Sequence, residues 1–507
     1  MPSPVRPSIG LHMIVRDCAE MMEPCLTSII GHVDEIVAVD TGSEDDRTER
    51  SIRRIAPRAT ILPFTPQEHP EAFLLDVAET WKGKVPGPFT GKWMLADFSA
   101  ARQEGWQRGT TDYLLWIDSD DVVEGAEHLP SLLREMAKNG FDTALIDYIY
   151  DDTEKGDPTC LLRRERILRR ALNSRWTQPV HEVLSPGGLG GFFSDLRIRH
   201  RRHRYRKNPL FHHRNLKILL HWFERNAHLP EDKIDPRMVF YLAKEEMALW
   251  PEKAITDLER YLRFSGWDEE RASAHILTAL LHMSAKPLPR IDRAFLSYAA
   301  AALEYPDNPD GLYGCAEVAF YKQNWRKVIE YTEKAQAIIG SEKPASSIIQ
   351  QNPFDRSWRP HVFYSAALIE MGQYEKAARS AETGLALQPG HPELKDSLDV
   401  ARKGQALMNE KTSPVGQVLL SFHRDEPIAN PPIEIPLNVL ITFALQLWKR
   451  SLAESAEKAL RLLDSLPDTV KKNESMVEAR AHTMRAIEST GGRTMPSLPS
   501  IPTYTSS

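Results

Sequence analysis

Up to about residue 200, short apolar runs alternate with helix-length segments; from Asn215 onward every patterned segment is helical. This change of period limits the fold more than any other feature. Alternating strands and helices bury their apolar faces as a sheet covered on both sides, whereas a series of helices can only stack on itself. Ile9–Val15 (IGLHMIV), Glu35–Val39 (EIVAV), Ala59–Pro63, Tyr113–Ile117 (YLLWI) and Thr143–Tyr150 read as buried strands. Glu20–Ile30, Glu44–Ile55, Phe98–Arg108 and Leu129–Lys138 read as the helices between them. The alternation predicts an α/β domain with a mainly parallel sheet. A Gly/Pro-rich stretch, Pro66–Trp93, interrupts it and reads as a long loop, either a lid or a surface insertion.

The helical part falls into pairs: Arg237–Leu249 with Glu252–Phe264, Arg271–Met283 with Asp292–Leu303, Gly311–Lys322 with Trp325–Ile338, and His361–Met371 with Tyr374–Leu387. In the last pair Ala367, Gly372, Tyr374, Ala377 and Pro389 stand where a tetratricopeptide repeat places small residues and its closing proline. The expected organisation is an α/β domain over 1–210 and tetratricopeptide-like helical repeats over 211–408, with Gly340–Pro360 as an inserted loop. A proline-rich linker over 409–436, further helices over 437–490 and a disordered tail over 491–507 complete it.

At 507 residues the chain is too long for one hydrophobic core. Its net charge of −6 gives no support to a general nucleic-acid or anionic-membrane binder. Four cysteines without a CxxC pair argue against a disulfide framework and against a structural zinc site. The first residues lack the charged-then-apolar pattern of a signal peptide, and no apolar run is long enough to span a bilayer. A soluble, cytoplasmic protein is the expectation.

Three strand ends or helix starts carry candidate chemistry. YLLWI runs directly into Asp118-Ser119-Asp120-Asp121. Ligands of open α/β sheets bind beyond the carboxyl ends of strands, and paired carboxylates there suit a hard divalent cation carrying diphosphate oxygens. The same residues also suit a solvated helix cap. EIVAV ends in Asp40-Thr41-Gly42-Ser43, where Asp40 is placed to accept hydrogen bonds from a nucleoside or simply to shape a strand–turn–helix junction. Asp97-Phe98-Ser99-Ala100-Ala101-Arg102 opens a helix whose arginine can hold a phosphate, orient an aspartate, or pair at the surface.

Taken in this order, the stretches MIVRDCAEMMEPCLTSI, VDEIVAVDTGSEDDRT, DFSAARQEGW and DYLLWIDSDDVV resemble the family 2 (GT-A fold, Rossmann-like) glycosyltransferases. The branch they resemble most is that of bacterial and phage protein or peptide glycosyltransferases fused to tetratricopeptide repeats. The resemblance implies a nucleotide-sugar donor, expected to be a UDP-sugar, and a divalent metal, Mn²⁺ or Mg²⁺. It implies Asp40, Asp97, Arg102 and Asp118 as donor contacts and Asp120 as the metal residue. Val180-His181-Glu182 is similar to the family's HE segment, which makes Glu182 the expected general base, with His181 as the alternative. Ile198-Arg199-His200 is similar to the family's closing histidine, an expected further metal or diphosphate contact.

The basic run Arg197–Arg214 has three readings: interdomain connector, diphosphate-closing loop, or nucleic-acid patch, of which the last fits the acidic net charge least. Arg16-Asp17 and Gln103 depart from the family's usual Lys-Asn and Asn, and bear on donor-sugar recognition. The functional expectation is an inverting glycosyltransferase acting on a protein or peptide held by the repeats, which also leave room for self-association. The competing class is a non-catalytic interaction scaffold with a degenerate sugar-nucleotide domain.

Overall fold

The computed structural model describes residues 6–81, 83–87, 89, 91–152, 158–201, 213–339, 358–409, 444, 445, 448, 456–466 and 468–490. The chain divides into two compact units, Met1–Asp307 and a second that begins at Asn308. The expected division at residue 210 lies inside the first of them. The proline-rich linker, the tail, most of Gly340–Pro360 and the centre of the basic run lie outside the described residues, as does most of the helix expected over Asn438–Ser451.

The first unit begins β1 (Ile9–Val15), α1 (Ala19–Thr27), β2 (Glu35–Asp40), α2 (Arg47–Ile55), β3 (Thr60–Pro63), β4 (Phe73–Asp76), α3 (Ala78–Trp81), β5 (Lys92–Leu95) and α4 (Phe98–Trp106). It continues with β6 (Tyr113–Trp116), β7 (Asp121–Glu124), α5 (Leu129–Asn139), β8 (Thr143–Asp152), β9 (Pro158–Arg169), β10 (Arg175–Thr177), β11 (Val183–Ser185) and β12 (Gly190–His200). Five helices follow: α6 (Arg214–Arg225), α7 (Pro236–Glu246), α8 (Pro251–Phe264), α9 (Asp268–Met283) and α10 (Ile291–Glu304). Among the described residues no helix is long and apolar enough to cross a membrane.

Eight strands form one sheet in the order β3-β2-β1-β6-β9-β8-β12-β7. The β3/β2, β2/β1, β1/β6 and β8/β12 pairings are parallel. β9 runs antiparallel between β6 and β8, and β7 antiparallel to β12. The Rossmann-like, mainly parallel half is the one the apolar runs announce. β9 escapes a period reading for a physical reason: it buries Arg166 where an apolar residue would be expected, which breaks the alternation.

One face of the sheet packs on α1 and α5, where Met22, Leu26, Leu129, Leu133 and Met136 meet Leu11, Leu115 and Ile146. On the other face α4 lies close to β2, since a side chain at Gly105 would meet Val39 Cγ2 at 2.8 Å.

The stretch expected as a loop at Pro66–Trp93 contains β4, α3 and the start of β5. β4 and β5 pair as an antiparallel hairpin, Phe73↔Leu95 to Asp76↔Lys92. One hairpin face packs Phe73 and Leu95 on Val39 and Phe64. The other packs Leu74 and Met94, together with Trp81, on Leu216, Leu219 and Leu242 of α6 and α7. Strands of four residues separated by a Gly/Pro-rich connection are too short to show a period. Where the hairpin meets α6, fully buried Lys217 Nζ reaches both carboxylate oxygens of buried Asp76 at 2.9 and 3.0 Å.

In the second unit α11 (Asp310–Tyr321), α12 (Trp325–Ile339), α13 (Arg359–Glu370) and α14 (Tyr374–Leu387) follow the predicted pairing, and α15 (Pro392–Asn409), a helix the pattern did not predict, packs on α14. Tyr313, Ala316, Val328, Ala335, Phe363, Ala367, Leu368 and Ala377 form their common core. Alanines let paired helices approach, as the repeat pattern requires. Gly372 (φ 68°) ends α13 in the left-handed region that favours glycine. Beyond them, Ala456–Ser465 packs on Glu474–Thr490, and buried Trp448 donates its Nε1–H to Thr483 Oγ1 at 2.8 Å.

Breaking a buried ion pair from one side strands the other charge, at a cost of about 3–5 kcal/mol. Lys217→Met is therefore expected to lower the melting temperature of the first unit by several degrees in calorimetry. Asp76→Leu/Lys217→Met is expected to recover most of that loss, because neither charge then remains.

Candidate active site

Chain direction places the candidate residues. β1 lies between β2 and β6 and runs parallel to both; the chain leaves its carboxyl end toward β2 and β3 on one side, and β6 stands on the other. A crevice opens at such a switch point. Around it stand the end of β2 with Asp40, the turn after β6 with Asp118 to Asp121, and the start of α4.

Arg102, on α4, is the hub. Its side chain is only 9% exposed. Nη2 donates to Asp118 Oδ1 at 2.5 Å and Nε donates to Glu182 Oε1 at 3.1 Å. The guanidinium also lies 5.0 and 5.2 Å from the ring centroids of Trp116 and Trp176. These two indoles meet edge to face, and Trp106 packs edge-on to Trp176. One planar cation thus ties together the end of β6, the β10–β11 loop and α4. Burial alone would push the Asp118 carboxyl up, but Arg102 and Arg166 outweigh it and hold it down at about 2.

A second cluster begins two residues further on, at Asp120. Asp120, Asp121 and His200 bring one ligand atom each within 4.8 Å of one another. His200 Nδ1 lies 3.5 Å from Asp120 Oδ1 and 3.4 Å from Asp121 Oδ1. Register explains the meeting: β12 pairs with β7 so that His200 stands opposite Asp121. Tyr150 stacks on the imidazole at 5.3 Å, nearly parallel. Burial disfavours the imidazolium, yet the two carboxylates raise the His200 pKa to about 10. Asp121 is wholly buried, accepts from Asp118 N and Tyr148 Oη at 3.0 Å each, and has Arg166 Nη1 at 3.6 Å. Burial still pushes its carboxyl upward. A cavity of about 80 Å³ opens beside the cluster, lined by Glu20, Met21, Pro24, Cys25, Ser119, Asp120, Asp121, Val122 and Arg201.

The remaining candidates are placed as follows. Asp40 Oδ1 accepts from the backbone N–H of Gly42 and Ser43 at 3.0 and 2.8 Å, so the carboxylate shapes its own turn. Asp97 caps α4 by accepting from Ala100 N at 2.9 Å, and burial raises its carboxyl. His181, beside Glu182, turns away from Arg102 and stacks on Tyr241 of α7 at 3.9 Å. Asp118, Arg102 and Glu182 are therefore joined directly. Asp120 and Asp121 join through His200, and Asp121 reaches Asp118 by accepting from the Asp118 backbone N–H.

Three residues of this arrangement escape a reading of the sequence as motifs. Asp121 was available as the fourth letter of DSDD. Arg166 stacks on Trp116 and Tyr148 at 3.8 and 4.2 Å from their ring centroids, and nothing in LLRRERILRR distinguishes it from its exposed neighbours. Tyr148 sits in a strand where an aromatic residue signals only core. Gln103, a departure from the family pattern, accepts from Trp176 N at 2.9 Å and so fastens the Glu182-bearing segment to α4.

Comparison with known proteins bears on this region. Residues 92–198 match the model for glycosyl transferase family 2. A TPR repeat-containing protein of Synechococcus elongatus is 28% identical over 178 residues, 35% of this chain and 35% of that protein. The match thus spans about a third of the relative's length. Among solved structures, S. aureus TarS 1-349 is 11% identical, with 59% of this chain and 89% of that chain covered, at a TM-score of 0.28. YrrB, a TPR protein described as having an unusual peptide-binding site, is 13% identical, with 52% and 97% covered, at 0.29. The chain carries a family 2 glycosyltransferase domain fused to tetratricopeptide-like repeats.

Arg102→Met removes one cation from two carboxylates that are themselves largely buried. A loss of roughly 2–4 kcal/mol is expected, somewhat below the full cost of stranding a buried charge because Asp118 keeps partial solvent access. Denaturant unfolding followed by tryptophan fluorescence checks this, since Trp116 and Trp176 lose their stacked guanidinium in the same variant. An unchanged midpoint and spectrum would count against the hub.

Proposed function

We propose that this glycosyltransferase is metal-dependent and inverting, and moves a sugar from a UDP-type donor to a protein or peptide side chain. The observation that carries the reading is the juxtaposition of Asp120, Asp121 and His200 with the Asp118–Arg102–Glu182 chain at the carboxyl end of β6. Hard carboxylate oxygens with one imidazole suit Mg²⁺ or Mn²⁺. When bound, the cation neutralises charge developing on the leaving diphosphate.

The chain's own groups perform the rest. Asp118, kept ionised by Arg102, is available to accept hydrogen bonds from donor hydroxyls. Asp40, at the end of β2, is the proposed contact to the base or ribose, and Asp97 completes that wall. The acceptor hydroxyl or thiol attacks the anomeric carbon from the side opposite the diphosphate. Its bond to carbon forms as the carbon–oxygen bond to phosphate breaks, and its proton passes to Glu182. The contact to Arg102 orients the Glu182 carboxylate. The repeats are the proposed acceptor platform. The name of the Synechococcus elongatus relative favours a second reading, a repeat scaffold whose α/β domain binds sugar nucleotide without turnover.

UDP release from a panel of UDP-sugars, measured with Mn²⁺ or Mg²⁺ and again with EDTA, separates the two. Release that EDTA abolishes is expected; UDP binding without release from any donor would support the scaffold. Asp120→Ala is expected to abolish metal-dependent UDP binding in calorimetry, and unchanged affinity would remove the metal assignment. Glu182→Gln is expected to lower kcat by about 10²–10⁴-fold while UDP affinity stays within twofold. A kcat within threefold of the parent would remove Glu182 as base.

A further inference from the structure

The segment that carries Glu182 is held in a conformation its own sequence does not favour. β10 and β11 pair through Thr177↔Val183, leaving Gln178 to Glu182 as the connecting loop. Gln178 (φ 70°) and His181 (φ 59°) both lie in the left-handed region, although neither is glycine. Such residues persist only where the surroundings hold them.

Two helices supply most of the restraint, beside Arg164 of β9, whose Nη2 donates to Glu182 O at 3.3 Å. On one side is α4, the helix of Arg102: Phe98 N donates to Pro179 O at 2.8 Å, and Ser99 Oγ donates to Gln178 O. On the other side is α7. Asp235, which caps α7 by accepting from Arg237 N, accepts from Gln178 Nε2 at 2.6 Å. The Tyr241 ring lies on the His181 imidazole at 3.9 Å, only 11° from parallel. Glu245 Oε1 stands 3.8 Å from His181 Nε2 and is itself oriented by Asn215 Nδ2 at 3.1 Å. α7 thus takes up the side chains of both left-handed residues, and Val180 between them packs in one core with Met238 and Leu242 of the same helix.

We infer that α7 is a positioning element of the catalytic site, in which Tyr241 and Glu245 grip His181 and thereby place the Glu182 carboxylate beside Arg102. The inference rests on the reading of Glu182 as base. Burial keeps His181 toward its neutral form, so the grip is ring stacking plus an imidazole facing a carboxylate, with Lys244 and Glu182 the other charges that face it. Neither Tyr241 nor Glu245 touches the reacting atoms. Their effect passes through His181 and the backbone to its neighbour. The helical segment after the basic run thus completes the site, in addition to any part it plays in presenting an acceptor.

The test uses the full chain and four variants: Tyr241→Ala, Tyr241→Phe, Glu245→Ala and Glu245→Gln. Three quantities are measured: amide hydrogen exchange over residues 174–185, UDP affinity with Mn²⁺, and UDP release from the best UDP-sugar of the panel. Both alanine variants are expected to speed exchange in this segment at least tenfold and to lower kcat at least tenfold, with UDP affinity within twofold. Tyr241→Phe keeps the stack and Glu245→Gln keeps a polar partner, so both are expected to retain protection and most of the turnover. Unchanged exchange in the alanine variants, or a loss in Tyr241→Phe equal to that in Tyr241→Ala, overturns the grip. Faster exchange with unchanged kcat overturns its catalytic role. If an alanine variant unfolds, seen as fast exchange throughout the first unit, His181→Ala removes the same contact from the loop side and is judged by the same criteria. A parent protein that releases UDP normally while Glu182→Gln does so too overturns the base assignment rather than the grip, which the exchange measurement still decides.

Discussion

The site depends on one buried guanidinium. Moving an arginine out of water costs several kcal/mol, and the cost is offset only where geometry and remaining hydrogen bonds are both good. Arg102 meets that condition by facing Asp118 and Glu182 at once and by lying against two indole rings. Each partner comes from a different part of the chain, and each is fixed by something else. The Asp118 backbone N–H is held by Asp121, the Glu182 segment by α4 and α7, and Arg102 by a helix whose first turn Asp97 caps. Loss of any of these supports would leave a charge in a poorly solvated place. The site is therefore rigid for an electrostatic reason before any substrate arrives.

The acidic cluster on the far side of Asp118 obeys the opposite logic. Asp120 and Asp121 sit together with too little positive charge around them: Arg166 reaches Asp121 only at 3.6 Å, and His200 must take up a proton to serve both. Burial raises the Asp121 carboxyl even so. Arg102 is the counter-ion of Asp118, whereas Asp120 and Asp121 share the imidazole of His200.

The parts of this arrangement that were legible in the sequence are those fixed by local rules. Buried strands announce themselves as apolar runs, so β1, β2 and β6 were placed nearly to the residue, and with them Asp40 and Asp118 at their ends. Helix pairs announce themselves by small residues at fixed offsets, so α7 to α14 were read as pairs. The remainder depends on register and on distant partners. His200 meets Asp121 only because β12 runs antiparallel to β7. Arg166 is buried only because β9 crosses between β6 and β8. The hairpin of β4 and β5 is held by Lys217, 141 residues away, so its two four-residue strands look like loop until α6 is in place.

Asp40 and Asp97 show where local and functional readings stop being alternatives. Asp40 was open to interpretation as a turn residue, Asp97 was not read as a cap, and each makes such bonds, through one carboxylate oxygen in the bonds described. A carboxylate has two oxygens and about four lone-pair sites, so capping a turn does not exhaust it. It fixes the side chain's direction instead. The backbone N–H groups of Gly42 and Ser43 pin Asp40 at the end of β2, and that of Ala100 pins Asp97 at the start of α4. A polar group whose rotamer is set by the backbone loses little entropy when it takes a ligand.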